Sequence, residues 1–302
     1  MEPIFAAAIV ASSVIGLMAL GFTLQFITLK VPNLAHTTIC FSSAYMPLSF
    51  WLFGVNPYLA LPLSFLIGSL LSWFLYKFLA FLRTRGTGPV GQMMSSLAFG
   101  LIIYGIMNIY ADYLSYVLKA WARTFTLANA DITFFGEPGI VFLAPILLVS
   151  LTTFFHLILT RTKFGIAIRA IVQDYSLAAT LGVNTDRALG LAWFIVGGIG
   201  GLAGAVWPFW FSVDPWTGPR MLSDIFAACV VGGLFSVYGS ILGGIIVGGM
   251  EILLLWGIAL NVGVWVTSYR PIIPVVIAAI TLLIFPKGIM GSIETLREKR
   301  RK

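Results

Sequence analysis

Long apolar runs dominate this chain, and they leave few folds open to it. Hydropathy marks candidate spans at residues 4–29, 39–53, 58–82, 93–118, 139–160, 188–213, 222–234, 240–260 and 271–285. A helix needs about 20 apolar residues to cross a bilayer. Inside hydrocarbon the backbone must satisfy its own polar groups, so helices or closed barrels are the only spanning structures. Several of the runs are shorter than a full crossing, which predicts half-helices or re-entrant pieces. The expected fold is all-α: one polytopic transmembrane helical bundle over residues 1–302, with about eight to ten spans.

Composition removes other classes. The chain is 59% hydrophobic and 10% charged, with mean hydropathy +0.99, whereas soluble domains average about 25% charged residues. The net charge of +7 sits in membrane flanks and a basic tail at 286–302, which argues against a nucleic-acid partner. Cys40 and Cys229 lie in apolar segments, and His36 and His156 are far apart, so neither a disulfide framework nor a metal site is expected. No basic region or small-residue cleavage site accompanies the first apolar run, so a removable signal peptide is not expected. No G-x-x-x-x-G-K-[ST] phosphate cradle occurs, and GTGPVG at 86–91 is not followed by the Lys and Ser or Thr that such a cradle requires. The chain is therefore not expected to hydrolyse ATP or to carry a cofactor. Neither a metalloprotease element nor a serine-nucleophile element is present, and no close carboxylate pair points to an enzyme.

Residues 161–187, RTKFGIAIRAIVQDYSLAATLGVNTDR, form the long polar break between two apolar halves. Phe164, Ile168, Ile171, Val172 and Tyr175 recur at helical spacing, so the preceding membrane helix is expected to continue into the cytosol. Asp174 is a candidate N-cap for a second short helix from 175 to 181, with Gly182 placed to end it in the left-handed conformation. Ala178 and Ala179 supply a small face, and Leu177 with Leu181 an apolar ridge one turn apart. Asn184 or Thr185 would cap the next membrane helix, with Asp186 in its first turn. The stretch reads as a cytosolic coupling loop built to be held by another protein, with Arg169, Gln173, Asp174, Tyr175, Leu177, Ala178, Ala179, Leu181 and Gly182 as contact candidates.

The run GIAIRAIVQDYSLAATLGVNTDRALGLAWFIVGGIGGLAGAV resembles the signature region of permease subunits of Liv-type branched-chain amino-acid ABC importers. Asn33, Ala35 and His36 match that family's N-x-A-H element, and AACVVGGLFSVYGSILGGIIVGGMEIL and FPKGIMG match its late helices and end. Two residues separate Ala179 from Gly182, the Liv-type spacing, and Thr37 stands where the family usually has Gly. The resemblance implies a non-enzymatic membrane subunit in the cell membrane. It would pair with a second homologous permease, two cytosolic ABC ATPase subunits that carry ATP and magnesium, and an external amino-acid-binding protein. Branched-chain amino acids are the implied substrates, with other small amino acids, urea and amides as alternatives.

Nine spans with a cytosolic C-terminus leave Lys119, Arg123, Arg220 and Arg270 outside and the other fourteen Lys and Arg residues inside. The loop 161–187 then faces the cytosol, and Trp121, Asp131 and Glu137 on the outer loop are placed to meet an external partner or to form a simple connection. Glu251 inside an apolar span is either a structural carboxylate or a pathway group. Gln25, Asn33 and His36 are further candidates to line or brace the translocation path, and Arg220 with Asp224 reads as a local pair. Gly197 with Gly201, Gly200 with Gly204, Gly239 with Gly243, and Gly244 with Gly248 stand at four-residue spacing, the pattern of close helix packing in lipid. An ion-coupled secondary transporter using Glu251 is the rival from another class, and a passive channel the third.

Overall fold

The computed structural model describes residues 2–292, so the tail beyond Ser292, including its basic run, lies outside the described residues. Among the described residues, seven helices are long and apolar enough to cross a membrane. Two of them form the centre. α1 (Pro3–Leu29) begins with Pro in its first turn, where the missing N–H costs nothing. It ends at Lys30 in the left-handed conformation, whose N–H donates to Phe26 O at 2.7 Å. Both α1 and α9 (Thr185–Val206) are buried along most of their length, with other helices of the bundle packed around them. α1 packs chiefly on α12 (Val237–Val262), and α9 on α4 (Leu61–Thr84). Around them, α5 (Pro89–Val117), α6 (Ile140–Arg161) and α13 (Ile272–Ile284) each turn large apolar side chains outward, among them Ile109, Val149 and Leu283.

Two further passes are made in pieces. One consists of α2 (His36–Ser42) and α3 (Tyr45–Leu52); the other of α10 (Thr217–Arg220) and α11 (Leu222–Gly232). The first runs from one end of the bundle to the other: Asn33 bonds Gln25 near the end of α1, while Tyr58 stacks on Phe209 at the opposite end. Residues 33–53 therefore cross and do not return, and the N-terminus stays at the end opposite loop 161–187. Thr37 sits inside α2, where its side chain needs no special backbone conformation.

The glycine pattern is used where backbones touch. A Cβ on Gly204 would lie 2.0 Å from Cys40 O, and on Gly243 2.0 Å from Ala228 O. Gly244 and Gly248 meet the backbone of α1 at Gly16 and Ser12, and Gly239 meets Gly232. Gly197 and Gly201 meet Ser72 and Gly68 on α4. In lipid, such close packing replaces the hydrophobic drive. Gly243→Val is expected to separate α11 from α12 and to shift the protein to the void volume in detergent chromatography; normal elution would contradict this.

Candidate functional site

Loop 161–187 forms two short helices at one end of the bundle. The predicted continuation of the membrane helix is corrected: α6 stops at Arg161 and Thr162 turns the chain in an extended conformation. Thr162 Oγ1 accepts from Gly165 N at 3.1 Å and starts α7 (Lys163–Gln173). A Cβ on Gly165 would lie 2.1 Å from Leu159 O, so the reversal depends on that glycine. Ile168 and Ile171 on α7 are buried, Phe164 and Val172 partly so, and Tyr175 is exposed. Asp174 then accepts from Leu177 N at 2.9 Å and caps α8 (Tyr175–Thr180). Gly182 follows at φ +84°, and Asn184 caps α9 by accepting from Arg187 N at 3.0 Å.

The faces of α8 differ from the expected arrangement. Ala178 is 2% exposed and belongs to the core, so it and Ala179 do not share an outward small face. Their adjacency in a helix already sets them about 100° apart. Leu177, 56% exposed, and Leu181, 75% exposed, stand outward as a ridge, with Arg169, Gln173, Asp174, Tyr175, Ala179 and Gly182 also on the surface. Ala178→Trp is expected to destabilise the loop by about 1–3 kcal/mol through overpacking, read as faster limited proteolysis within 163–187. Ala179→Trp should leave proteolysis unchanged.

Beneath this surface lies a cleft of about 320 Å³ between the end of α1 and α7–α8, lined by Lys30, Arg83 and Tyr175 among others. The Arg83 guanidinium lies 5.3 Å from the Tyr175 ring centroid, and Thr185 Oγ1 donates to the Tyr175 hydroxyl at 3.1 Å. Lys77 pairs with Asp186, fixing the start of α9 to α4. Loop 161–187 is thus tied to the central helices.

Gln25, Asn33 and His36 are fully interior. Gln25 Nε2 donates to Ser72 Oγ at 3.0 Å, and Asn33 Nδ2 donates to Gln25 Oε1 at 2.8 Å. Asn33 Oδ1 accepts from Ala35 N at 3.0 Å, and His36 Nε2 bonds Met18 O at 3.0 Å. Each is satisfied by the protein, so within this chain they brace the turn between α1 and α2. Asn33→Ala, which orphans Gln25 Oε1 and Ala35 N, should cost about 1–3 kcal/mol per buried group, read as a lower unfolding temperature in detergent.

Glu251 occupies a second site, toward the opposite end. It is 1% exposed and pairs with Arg270 in the connection before α13. Around them lies a cavity of about 370 Å³ whose walls include Trp207, Phe211, Met221, Arg220 and Asp224. The predicted Arg220–Asp224 pair is not formed: Arg220 Nη2 donates to Asp214 Oδ2 at 2.7 Å, while Asp224 accepts from Ser223 Oγ at 3.1 Å. Arg270 was missed as a partner of Glu251 because nothing in the sequence links the two positions. Asp131 on the outer loop accepts from the Tyr58 hydroxyl, from Ile132 N at 2.7 Å and from Ile140 N at 3.1 Å, so it organises that loop. Glu137 lies in the short hairpin of β1 (Thr133–Phe134) and β2 (Glu137–Pro138), whereas Trp121 is exposed. Among the described residues no group of three His, Cys, Asp or Glu side chains is placed to hold a metal.

A polytopic bundle with a capped helical loop at one end and a polar cavity toward the other defines a membrane transport subunit. The chain belongs to the family of branched-chain amino acid transport system permease components, whose model matches residues 4–285. It is 36% identical over 285 residues to the probable branched-chain amino acid transport permease protein LivH of Methanocaldococcus jannaschii, covering 94% of this chain and 90% of that one. It is 21% identical to the high-affinity branched-chain amino acid permease LivH of Escherichia coli K12, covering 92% of both. A solved chain of PsaBC from Streptococcus pneumoniae in complex with Fab shares the fold, with TM-score 0.50 and 15% identity over 95% of this chain and 94% of that one.

Proposed function

We propose that this chain forms the membrane path of an ATP-driven importer of branched-chain amino acids, and that α7–α8 are the element through which ATPase subunits drive it. The observation that carries this reading is the Leu177–Leu181 ridge, exposed on a loop whose own fold is complete without it. An apolar ridge formed by a capped short helix and the residue that ends it fits a groove on a partner. The partners are two cytosolic ABC ATPases, which bind ATP with its magnesium, a second homologous permease, and an external amino-acid-binding protein that delivers substrate.

The chain is oriented with loop 161–187 and the C-terminus in the cytosol. Lys30, Arg83, Arg85, Arg161, Lys163, Arg169 and Arg187 gather at the loop end, in keeping with the bias of cytosolic loops toward Lys and Arg. Closure of the ATPase pair moves α7–α8 as a body, and the ties from Asp186 to Lys77 and from Thr185 to Tyr175 carry that movement into α4 and α9. The relatives' names support the substrate, and leucine, isoleucine and valine are the first to be tried.

Vesicles containing the whole transporter, loaded with ATP and free of ion gradients, test this reading. Uptake of labelled leucine that requires ATP and the external binding protein is expected. Uptake driven by a proton or sodium gradient without ATP would favour the ion-coupled carrier.

A further inference from the structure

The cavity around Glu251 takes no part in the coupling described above. Arg270 Nε donates to Glu251 Oε1, but Glu251 Oε2 and Arg270 Nη2 are both buried without a hydrogen-bond partner. A guanidinium facing a carboxylate commonly closes as a two-pronged fork, and this pair uses one prong. Two oppositely charged, unsatisfied atoms therefore lie on one ion pair, in a setting where buried polar atoms are nearly always bonded.

We propose that this cavity recognises the two charges of an α-amino acid, its carboxylate taken by Arg270 Nη2 and its ammonium by Glu251 Oε2. This rests on the amino-acid permease reading and names where that substrate is held. A zwitterion supplies both the acceptor that Nη2 lacks and the donor that Oε2 lacks, from groups one carbon apart. Trp207, Phe211 and Met221 give the cavity an apolar wall for a branched side chain. Its volume of about 370 Å³ lies within the range of small-ligand sites, which combine apolar walls with few polar groups. The Arg270 side chain is 32% exposed and sits beside Pro271, outside any long helix. Its rotation outward opens the two atoms to a ligand.

The complete transporter in lipid nanodiscs, without the external binding protein, is titrated with radiolabelled leucine. Competitors are 3-methylbutylamine, which lacks the carboxylate, and 4-methylpentanoate, which lacks the ammonium. Saturable leucine binding is expected, with neither analogue displacing it at concentrations where unlabelled leucine does. Glu251→Gln and Arg270→Lys, which keep a hydrogen-bonding partner across the pair, should each weaken binding tenfold or more in monodisperse preparations. The competition arm uses the unaltered protein and needs no variant to fold. Equal displacement by either analogue, or no saturable binding by a transporter that imports leucine with its binding protein, overturns the site and leaves the permease reading standing. Failure of the unaltered system to import any branched-chain amino acid would overturn that reading, and the site with it.

Discussion

Replacing both Leu177 and Leu181 with aspartate is expected to leave the bundle folded and to cut ATP-driven uptake at least tenfold. Both side chains are already more than half exposed, so the isolated chain loses little packing when they change. Docked in a groove they would each contribute about 1.5–3 kcal/mol of apolar burial, and 1.4 kcal/mol is about a tenfold change in binding. Introduced carboxylates add a desolvation cost in the same groove. Uptake into vesicles and co-purification of the ATPases measure the effect. Unchanged values for both would remove the ridge from the coupling surface.

The second large effect concerns the buried ion pair, and its asymmetry is the informative part. Arg270→Leu leaves the Glu251 carboxylate buried with no partner, and breaking a buried pair in this way costs about 3–5 kcal/mol. Glu251→Leu leaves a guanidinium that is about one-third exposed and can reach water, so the cost should be smaller. Thermal unfolding in detergent should therefore place Arg270→Leu below Glu251→Leu, with Glu251→Gln nearest the unaltered protein. The reverse order would mean that Glu251 is better solvated than its 1% exposure implies.

The fold was legible where local chemistry decides it. Asp174, Gly182 and Asn184 act on neighbours within three residues, and the structure uses each in the predicted place. The short apolar runs at 39–53 and 222–234 were too brief for single full-length helices, and both passes are built from pieces. Hydrophobic periodicity across 164–175 did not reveal the break at Thr162, because a helix can reverse direction while its apolar face keeps facing the core. The tight Gly165–Leu159 approach that permits the reversal is a tertiary contact. Ala178 and Ala179 looked equivalent as small residues, and only packing against the core separates them. Glu251 was visible as a charge in an apolar helix. Its partner Arg270, the unused atoms of the pair and the aromatic wall depend on how α12, the connection before α13 and the segment after α9 meet, which no local spacing records.

Cross-linking from the tip of α8 tests the coupling role most directly. Both native cysteines, Cys40 and Cys229, are buried, so a cysteine placed on the surface is the reactive one. In the assembled transporter, Leu181→Cys should cross-link to an ATPase subunit through a short bifunctional reagent, and ATP should alter the yield. Trp121→Cys, at the opposite end of the bundle, should give no such product. Cross-linking of the ATPase to position 121 but not to position 181 would contradict both the orientation and the coupling role.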